Sequence, residues 1–312
     1  MPETRKRQTG FLQPKKVLKV LDEPHPQFLN NAFLDPYSGC EYGCVFCHGL
    51  KEDVADTGDP VSPWRVSIKT SCVFSLNRDL AAFESDSALP KEKRRSTGIG
   101  FGSDPYQPCE AEYRLTQRSL EIFRDKSLPV HIITKSDLVL RDAGILSELS
   151  REGLCVVSVS LFTLKEELAR IFEPRVLPPK KRLDLIAKLR RAGIVAGAAV
   201  MPIFPHLTDS PGELDALYSR LKSHGALYSM PGILSLDRPG ARARVERVLR
   251  ERFPALWKNF EGIYGKEGYP SQEYCGRVLE TLKQVSRRRE IPTVLPLESA
   301  RLAVTAELRS SP

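Results

Sequence analysis

The sequence predicts an α/β fold, a parallel β-sheet with helical crossovers, followed by a mainly helical C-terminal extension. Short apolar runs alternate with longer amphipathic stretches, which is the pattern of a parallel sheet. Past about residue 230 this alternation ends, and an arginine-rich amphipathic segment precedes a second helical stretch. The 312 residues are enough for one large domain with an appendage.

Five apolar runs and a sixth candidate are predicted as strands. Each is short and bounded by glycine, proline or polar residues, as strands in α/β proteins are. They are Ala32 to Leu34, Thr97 to Phe101, Val130 to Thr134, Cys155 to Ser160, Ile194 to Val200 and Gly232 to Leu236.

Helical patterns fill the intervals and the extension. Apolar residues recur at three-residue steps from 183 to 189 ahead of Gly193, a stop signal, and Ser210-Pro211-Gly212-Glu213 is typical of a helix start. Two further helices are predicted at Ala241 to Phe253 and Glu273 to Arg289. We therefore divide the chain into a basic N-terminal segment (1–27), a core domain (28–230) and a mainly helical extension (231–312).

Composition limits the class of protein. With 41% hydrophobic and 28% charged residues the chain is typical of globular proteins. We find no apolar run near the roughly 18 to 20 residues of a membrane span, and residues 1–19 are basic without an apolar signal core. Seven cysteines, an odd number, favour a reducing compartment. We expect a cytoplasmic protein without a membrane partner.

Three cysteines form the most informative motif. Cys40, Cys44 and Cys47 have the spacing C-x3-C-x2-C in a loop that also contains Gly39, Gly43 and Gly49. Three thiolates can hold three irons of a [4Fe–4S] cube and leave the fourth iron open for other chemistry. Glycines suit a loop that must wrap closely around an inorganic core.

Two alternatives exist for this motif. A closed zinc site would need four ligands, and His48 is the only nearby candidate for the fourth. Its position next to Cys47 is poor for sharing that residue's metal. The other alternative is a reduced cysteine cluster without metal. The spacing favours iron and sulfur over both.

Polar residues follow the predicted strands at the points where the strands end. The cysteine loop follows the first strand, Ser103 and Asp104 the second, and Lys135 the third, while Ser160 ends the fourth. The carboxyl ends of strands in a parallel α/β barrel share one rim, where active sites are built. We therefore expect these side chains to converge on one cavity.

The sequence resembles the radical S-adenosylmethionine (SAM) enzymes, whose signature C-x3-C-aromatic-C is matched by Cys40, Cys44, Phe46 and Cys47. Ordered blocks from about residue 30 to about residue 210 resemble the branch related to spore photoproduct lyase. They are Asp35 to Cys44, Gly102 to Glu110 and Ile133 to Ser136.

This resemblance implies a partial (β/α)6 barrel of the TIM type. It also implies a [4Fe–4S] cluster on Cys40, Cys44 and Cys47, and SAM chelating the open iron through its amino and carboxylate groups. The reduced cluster would cleave SAM to a 5′-deoxyadenosyl radical, which abstracts hydrogen from a substrate. A low-potential electron donor such as flavodoxin or ferredoxin is the implied protein partner.

The resemblance also implies contacts to SAM, each with an ordinary structural alternative. Phe46 would offer its backbone to the adenine, or its ring shields the cluster from water. Ser103 and Asp104 would meet the amino group, or they form a turn before a proline. Lys135 would hold the methionine end, or it extends to solvent. Ser160 would contact the carboxylate or ribose, or it is buried and bonded to backbone.

The substrate half of the site cannot be carried over from the lyase. That enzyme's hydrogen-donor cysteine lies just before the serine–aspartate pair, where Ile99 to Gly102 contain no cysteine. Cys109, in the loop on the substrate side, is a candidate for a hydrogen-atom donor, with an unreactive free cysteine as the alternative. Arg175, after Glu173 and Pro174, would meet a carboxylate-bearing ligand or form a surface salt bridge.

The basic balance of the chain, 47 Lys and Arg against 39 Asp and Glu, admits a nucleic-acid substrate. The candidate phosphate contacts are Lys91 to Arg95, Lys180 to Arg182, Arg242 to Arg244 and Arg287 to Arg289. Two functions of different class follow. The first is a radical SAM enzyme, and the second is a cluster- or zinc-containing nucleic-acid-binding protein without catalysis.

Overall fold

The computed structural model describes residues 8–23, 25, 28, 30–49, 65–86, 96–293 and 295. The first seven residues of the basic N-terminal segment, the run Lys91 to Arg95 and the last seventeen residues lie outside this set. The predicted boundaries at residues 27 and 230 remain predictions.

A seven-stranded sheet forms the centre of the fold, and a three-stranded sheet lies beside it. The strands are β1 Gln8–Leu12, β2 Leu18–Val20, β3 Ala32–Leu34, β4 Tyr37–Ser38, β5 Arg65–Lys69, β6 Thr97–Ile99, β7 Val130–Thr134, β8 Cys155–Ser160, β9 Ala196–Ile203 and β10 Ser229–Ile233. The large sheet has the order β10-β9-β8-β7-β6-β3-β2. All its neighbours pair in parallel except β2 and β3.

Helices connect the parallel strands and continue after the last one. They are α1 Cys72–Asp86, α2 Glu110–Tyr113, α3 Leu115–Asp125, α4 Ala143–Arg151, α5 Glu166–Phe172, α6 Pro179–Arg191, α7 Pro211–Ser223, α8 Pro239–Arg252, α9 Pro254–Glu261 and α10 Gln272–Arg289, with a 3-10 helix at Asp137–Asp142. Within the described residues the large sheet is open, with β2 and β10 at its edges. The predicted α/β class is confirmed, and the open row of six parallel strands agrees with a partial (β/α)6 barrel.

Three predicted strands have shifted ends. β9 was predicted at Ile194 to Val200 and runs over Ala196–Ile203. β6 stops at Ile99 rather than Phe101 because Gly100 adopts a φ of +100°, which ends the extended backbone. β10 begins at Ser229, three residues before the predicted start, and includes Pro231 and Gly232. Proline and glycine made this segment look like a loop, and its pairing with β9 is irregular there.

The three-stranded sheet, with the order β1-β5-β4, was not predicted. Its strand β4 has only two residues, Tyr37 and Ser38, and lies between β3 and the cysteine loop. The cysteine loop therefore starts from β4 of the small sheet, and β4 separates it from β3, the first parallel strand of the large sheet. None of the helices in the described part of the chain is both long and apolar enough to cross a bilayer.

Candidate cofactor site at the carboxyl edge of the sheet

A cavity of about 430 Å³ opens at the carboxyl ends of the parallel strands. That volume lies within the range of small-molecule pockets. Every residue predicted to hold the cluster or SAM lines it, namely Cys40, Cys44, Phe46, Cys47, Ser103, Asp104, Lys135 and Ser160. Segments more than a hundred residues apart in sequence thus meet at one edge of the sheet, as the strand order requires.

The cysteine loop turns tightly. The amide of Cys47 donates to the carbonyl of Cys44 at 3.1 Å. Gly39 has a φ of +80°, and a Cβ added there would lie 2.2 Å from the carbonyl oxygen of Arg65 in β5. Glycine is therefore required where the loop leaves the small sheet. Cys40 and Cys44 are buried, and Cys47 is partly exposed.

Burial controls the chemistry of these thiols. It raises the pKa of Cys40 to about 12, helped by the negative charges of Asp104 and Cys47. Burial also raises the pKa of Cys44 well above its ordinary value, although Lys135 opposes this. Thiolates here are therefore costly unless a cation binds them, and iron is such a cation. Three cysteines converging on one cavity fit a [4Fe–4S] cube with an open iron.

His48 does not complete a zinc site. Its Nε2 lies 2.9 Å from the carbonyl oxygen of Ser235, and its Nδ1 lies 3.7 Å from Oδ1 of Asp237. Both ring nitrogens thus face the segment after β10 rather than the cysteines. Among the described residues, no group of three or more His, Cys, Asp or Glu side chains is close enough to hold a single metal ion.

Two side chains distant in sequence hold the backbone of the cysteine loop. Gln107, fully buried, donates to the carbonyl of Gly39 at 3.2 Å and accepts from the amide of Glu41 at 2.9 Å. Arg244 on α8 donates to the carbonyls of Val45 at 3.1 Å and Cys47 at 2.8 Å. Sequence reasoning assigned neither role, since it placed Arg244 among the phosphate contacts.

Asp35 organises the loop that follows β6. Its Oδ1 accepts from the amides of Gly102 at 2.8 Å and Ser103 at 3.3 Å. The hydroxyl of Ser103 donates to the carbonyl of Tyr37 at 3.1 Å. A Cβ added at Gly49 would lie 1.9 Å from the carbonyl oxygen of Gly102. The cysteine loop and the loop after β6 therefore touch through two glycines.

Asp104 has three internal hydrogen-bond donors. It accepts from Oγ1 of Thr134 at 2.7 Å and from the amides of Lys135 at 2.8 Å and Tyr106 at 2.9 Å. The bond to Tyr106 is the turn that the sequence also permitted. Burial raises the pKa of Asp104, and these hydrogen bonds act against that shift. Asp104 thus joins the loop after β6 to the end of β7.

A chain of charged side chains runs from the cavity into the helical layer. Nζ of Lys135 lies 3.9 Å from Oε1 of Glu173. Oε2 of Glu173 lies 2.6 Å from Nη2 of Arg182, and both of these side chains are fully buried. Nη1 of Arg182 donates to the carbonyl of Ser160 at 2.8 Å. Arg182 therefore cannot contact phosphate, contrary to its prediction within a basic run.

Phe46 packs into an apolar cluster beside the cavity. Its ring lies edge-on to Phe162 at 5.6 Å and to Phe204 at 5.7 Å between ring centroids. The amide of Val45 donates to the carbonyl of Phe172, which belongs to the same cluster. The ring of Phe46 thus lies where it can keep water from the cysteines.

Cys109 does not join these residues. It is fully buried in the main hydrophobic core and is not among the side chains that line the cavity. Its amide is capped by the carboxylate of Glu41 at 2.7 Å. A hydrogen-atom donor needs a partly exposed thiol, whereas the burial of Cys109 agrees with the alternative of an unreactive free cysteine.

Four other arginines that were predicted to contact phosphate or a ligand instead contact groups of the chain itself. Arg242 pairs with Glu246 at 2.8 Å, one helical turn along α8. Arg288 and Arg289 pair with Asp215 on α7. Arg175 is exposed and donates to the carbonyl of Glu41 at 3.4 Å.

Comparisons with known sequences agree with the cysteine motif. The radical SAM superfamily matches residues 34–217. An uncharacterized protein of Mycobacterium tuberculosis is 30% identical over 192 residues, which cover 61% of this chain and 54% of that protein. The chain thus spans about half the length of this relative. A radical SAM Nα-GlyT isomerase of Pseudomonas phage M6 is 23% identical over 259 residues, 82% of this chain and 50% of the isomerase.

Comparisons with solved structures agree with the fold. A spore photoproduct lyase with bound AdoMet and dinucleoside spore photoproduct has a TM-score of 0.66 at 15% identity, over 90% of this chain and 78% of the lyase. Streptococcus suis SuiB bound to the precursor peptide SuiA has a TM-score of 0.52 at 14% identity, over 88% of this chain and 50% of SuiB. Together with the superfamily match, which covers more than half of the chain, these findings show that the chain belongs to the radical SAM superfamily.

Proposed function

We propose that this chain is an enzyme that holds a [4Fe–4S] cluster on Cys40, Cys44 and Cys47 and cleaves SAM reductively. When bound, the cluster and SAM together supply a 5′-deoxyadenosyl radical, which abstracts hydrogen from a substrate still to be identified. Membership of the superfamily supports radical chemistry in general. The observation that carries the finer proposal is the convergence of the three cysteines with Ser103, Asp104, Lys135 and Ser160 around one cavity.

In this proposal the charged and polar residues of the cavity orient SAM. Lys135 binds the SAM carboxylate, because it lines the cavity with its Nζ 6.0 Å from the centroid of the Phe46 ring and close enough to Cys44 to interact electrostatically with it. Ser103 and Asp104 face the SAM amino group, and the carboxylate of Asp104 favours an ammonium even while it accepts internal hydrogen bonds. Ser160 borders the carboxylate or ribose.

Exclusion of water is the second task of the chain. A reactive radical must be kept from solvent and from unintended partners. Phe46 closes one wall with the rings of Phe162 and Phe204. Its backbone lies beside the cavity, where we propose that it meets the adenine. This arrangement assigns the shielding and the adenine contact to the same residue.

The substrate is proposed only as a broad chemical class, and the electron donor only as a type of carrier. One structural neighbour holds a dinucleoside and another a peptide, so either chemistry is compatible with the fold. Arg182, Arg242 and Arg289 form ion pairs within the chain, which gives no support to phosphate contacts at those three positions. We propose a low-potential carrier such as flavodoxin or ferredoxin as the source of the electron.

The test is anaerobic reconstitution followed by reduction with dithionite in the presence of SAM. We expect iron and sulfide in the ratio of a [4Fe–4S] cluster and formation of 5′-deoxyadenosine. Cys44→Ala should abolish both, whereas Cys275→Ala, on α10 and outside the cavity lining, should keep both. A zinc protein that forms no 5′-deoxyadenosine and binds nucleic acid in a salt-sensitive manner would instead establish the non-catalytic alternative.

A second experiment identifies the substrate. Candidate nucleosides and peptides carrying deuterium are incubated with the reduced enzyme and SAM. Deuterium found in 5′-deoxyadenosine names the hydrogen that the radical removes. Its return to product would show that SAM is regenerated rather than consumed.

A further inference from the structure

The helical extension reaches back to the cysteine loop through one side chain. Arg244 lies on α8, and it contacts residues 199 and 197 positions earlier in the chain. Its Nε donates to the carbonyl of Val45 and its Nη2 to the carbonyl of Cys47. These two carbonyls flank Phe46. The planar fork of a guanidinium presents two donors in fixed directions to both acceptors at once, a geometry that the compact ammonium of a lysine does not reproduce.

This contact fixes the part of the loop that carries Phe46 and Cys47. On one side the amide of Val45 donates to the carbonyl of Phe172 at 2.9 Å. On the other side Arg244 holds the carbonyls of Val45 and Cys47. The peptide groups around Phe46 therefore have fixed orientations before any cofactor binds. Fixed orientations lower the cost of arranging ligands around a metal cluster.

The contact also brings a positive charge beside the loop. Arg244 is partly buried, so its charge is less screened than that of an arginine in water. A reduced iron–sulfur cluster carries one more negative charge than the oxidised cluster. A nearby cation therefore favours the reduced form, since cluster potentials depend on local charge and hydrogen bonding.

We propose that Arg244 is a positioning residue that retains the cluster on its loop and raises its reduction potential. This inference rests on the proposed function, because it presumes a cluster on Cys40, Cys44 and Cys47. It assigns the C-terminal extension a direct part in the cofactor site. The extension thus belongs to the catalytic unit, although the superfamily match ends at residue 217.

The test separates the charge of Arg244 from its fork. Arg244→Lys keeps the charge and loses the double hydrogen bond, whereas Arg244→Gln keeps one donor and loses the charge. Arg242→Gln is the matched control on the same helix, because Arg242 pairs with Glu246 and bonds to carbonyls of Gly265 and Lys266. Each protein is reconstituted anaerobically, and circular dichroism and thermal melting of the cluster-free form report folding.

Two readouts are measured besides turnover. The first is the rate at which a ferrous chelator removes iron, and the second is the midpoint potential from an electron paramagnetic resonance titration. We expect both Arg244 variants to release iron about tenfold faster than wild type, as loss of a charge-assisted hydrogen bond implies. We expect a more negative potential for Arg244→Gln and a potential near wild type for Arg244→Lys. Arg242→Gln should match wild type in both.

The outcomes are decisive in each direction. Wild-type release rates and potentials in both Arg244 variants would overturn the inference while leaving the proposed function intact. Equal changes in Arg242→Gln would also overturn it, since a general effect of α8 would then explain the result. A wild-type protein that binds no cluster would instead reject the proposed function. If Arg244→Gln does not fold, Arg244→Lys alone decides through its release rate.

Discussion

Glu173 and Arg182 form an ion pair of 2.6 Å in which neither side chain is exposed to solvent. Glu173 also faces Lys135 at the cavity, and Arg182 donates to the carbonyl of Ser160 at the end of β8. A buried ion pair adds little net stability, since desolvation offsets its attraction, but it holds its partners in one geometry. The pair thus links two cavity-lining residues, Lys135 and Ser160, to α6.

Removing one partner of this pair should be costly. Arg182→Met leaves the carboxylate of Glu173 buried without its close cation, so the free energy of unfolding should fall by about 3–5 kcal/mol. The double variant Glu173→Gln with Arg182→Met should recover part of this loss, because the fully buried carboxylate that lost its guanidinium is then replaced by a neutral amide. Urea denaturation of the cluster-free protein, followed by circular dichroism, measures both.

The exposed pair of Lys222 and Glu290, at 3.0 Å, provides the control for this experiment. Lys222→Met should change the free energy of unfolding far less, since surface ion pairs contribute little. An Arg182→Met variant as stable as Lys222→Met would show that the buried pair does not have the assigned role.

Lys135→Ala should retain the cluster and weaken SAM binding by about 10- to 100-fold, the range expected for loss of a charge-assisted hydrogen bond. Burial opposes protonation of Lys135, but Cys44, Glu173 and Asp104 together raise its pKa, so the lysine is cationic at neutral pH. Equilibrium dialysis of SAM against the reconstituted protein measures the affinity. Lys165→Ala, which pairs with Glu213 outside the cavity lining, is the control. Unchanged SAM affinity would contradict the assignment of Lys135.

The sequence predicted the cavity better than it predicted the contacts that support it. Strand periodicity located β3, β7 and β8 at their observed bounds, and strand order then placed the polar ends together. Those features depend on local patterns. Glu173 and Arg182, in contrast, look like surface charges of two helices, and only the packing of α6 against β8 buries them.

Arg244 and Cys109 show the same limit. Arg244 meets the cysteine loop across 199 residues, and a single sequence carries no signal for a hydrogen bond to a backbone carbonyl at that separation. Cys109 follows a polar block that suggested exposure, yet the buried Glu110 after it, ion-paired with Arg141 at 2.6 Å, anchors the block in the core. In both cases, contacts between residues distant in sequence determine where the side chain lies.

Gly49→Ala should separate the two loops of the cavity. The added Cβ would lie 1.9 Å from the carbonyl oxygen of Gly102, so one backbone segment must move. We expect the free energy of unfolding to fall by about 1–3 kcal/mol, as for other overpacked sites, and the iron content after reconstitution to drop. Gly212→Ala on α7, where nothing lies within 4 Å of the added Cβ, should leave the iron content unchanged. Full iron content in Gly49→Ala would show that the loops tolerate separation.

His131 should make stability depend on pH between about 3 and 6.5. It is fully buried on β7, with Nε2 2.9 Å from Oγ of Ser158, and burial lowers its pKa from 6.5 to about 3. Because the folded pKa lies below the unfolded value, the unfolded state binds more protons in this window. The contribution is fully present above pH 6.5 and is lost as pH falls toward 3.

The comparison of wild type with His131→Gln isolates this effect from that of Asp35 and Asp104, whose pKa values are raised by burial and act in the opposite direction. Between pH 7 and pH 5 the stability of wild type relative to the variant should fall by about 2 kcal/mol, the linkage expected for a shift of this size. Urea denaturation of the cluster-free proteins at both pH values measures the difference. A difference in stability that does not change with pH would show that His131 takes up a proton in the folded state.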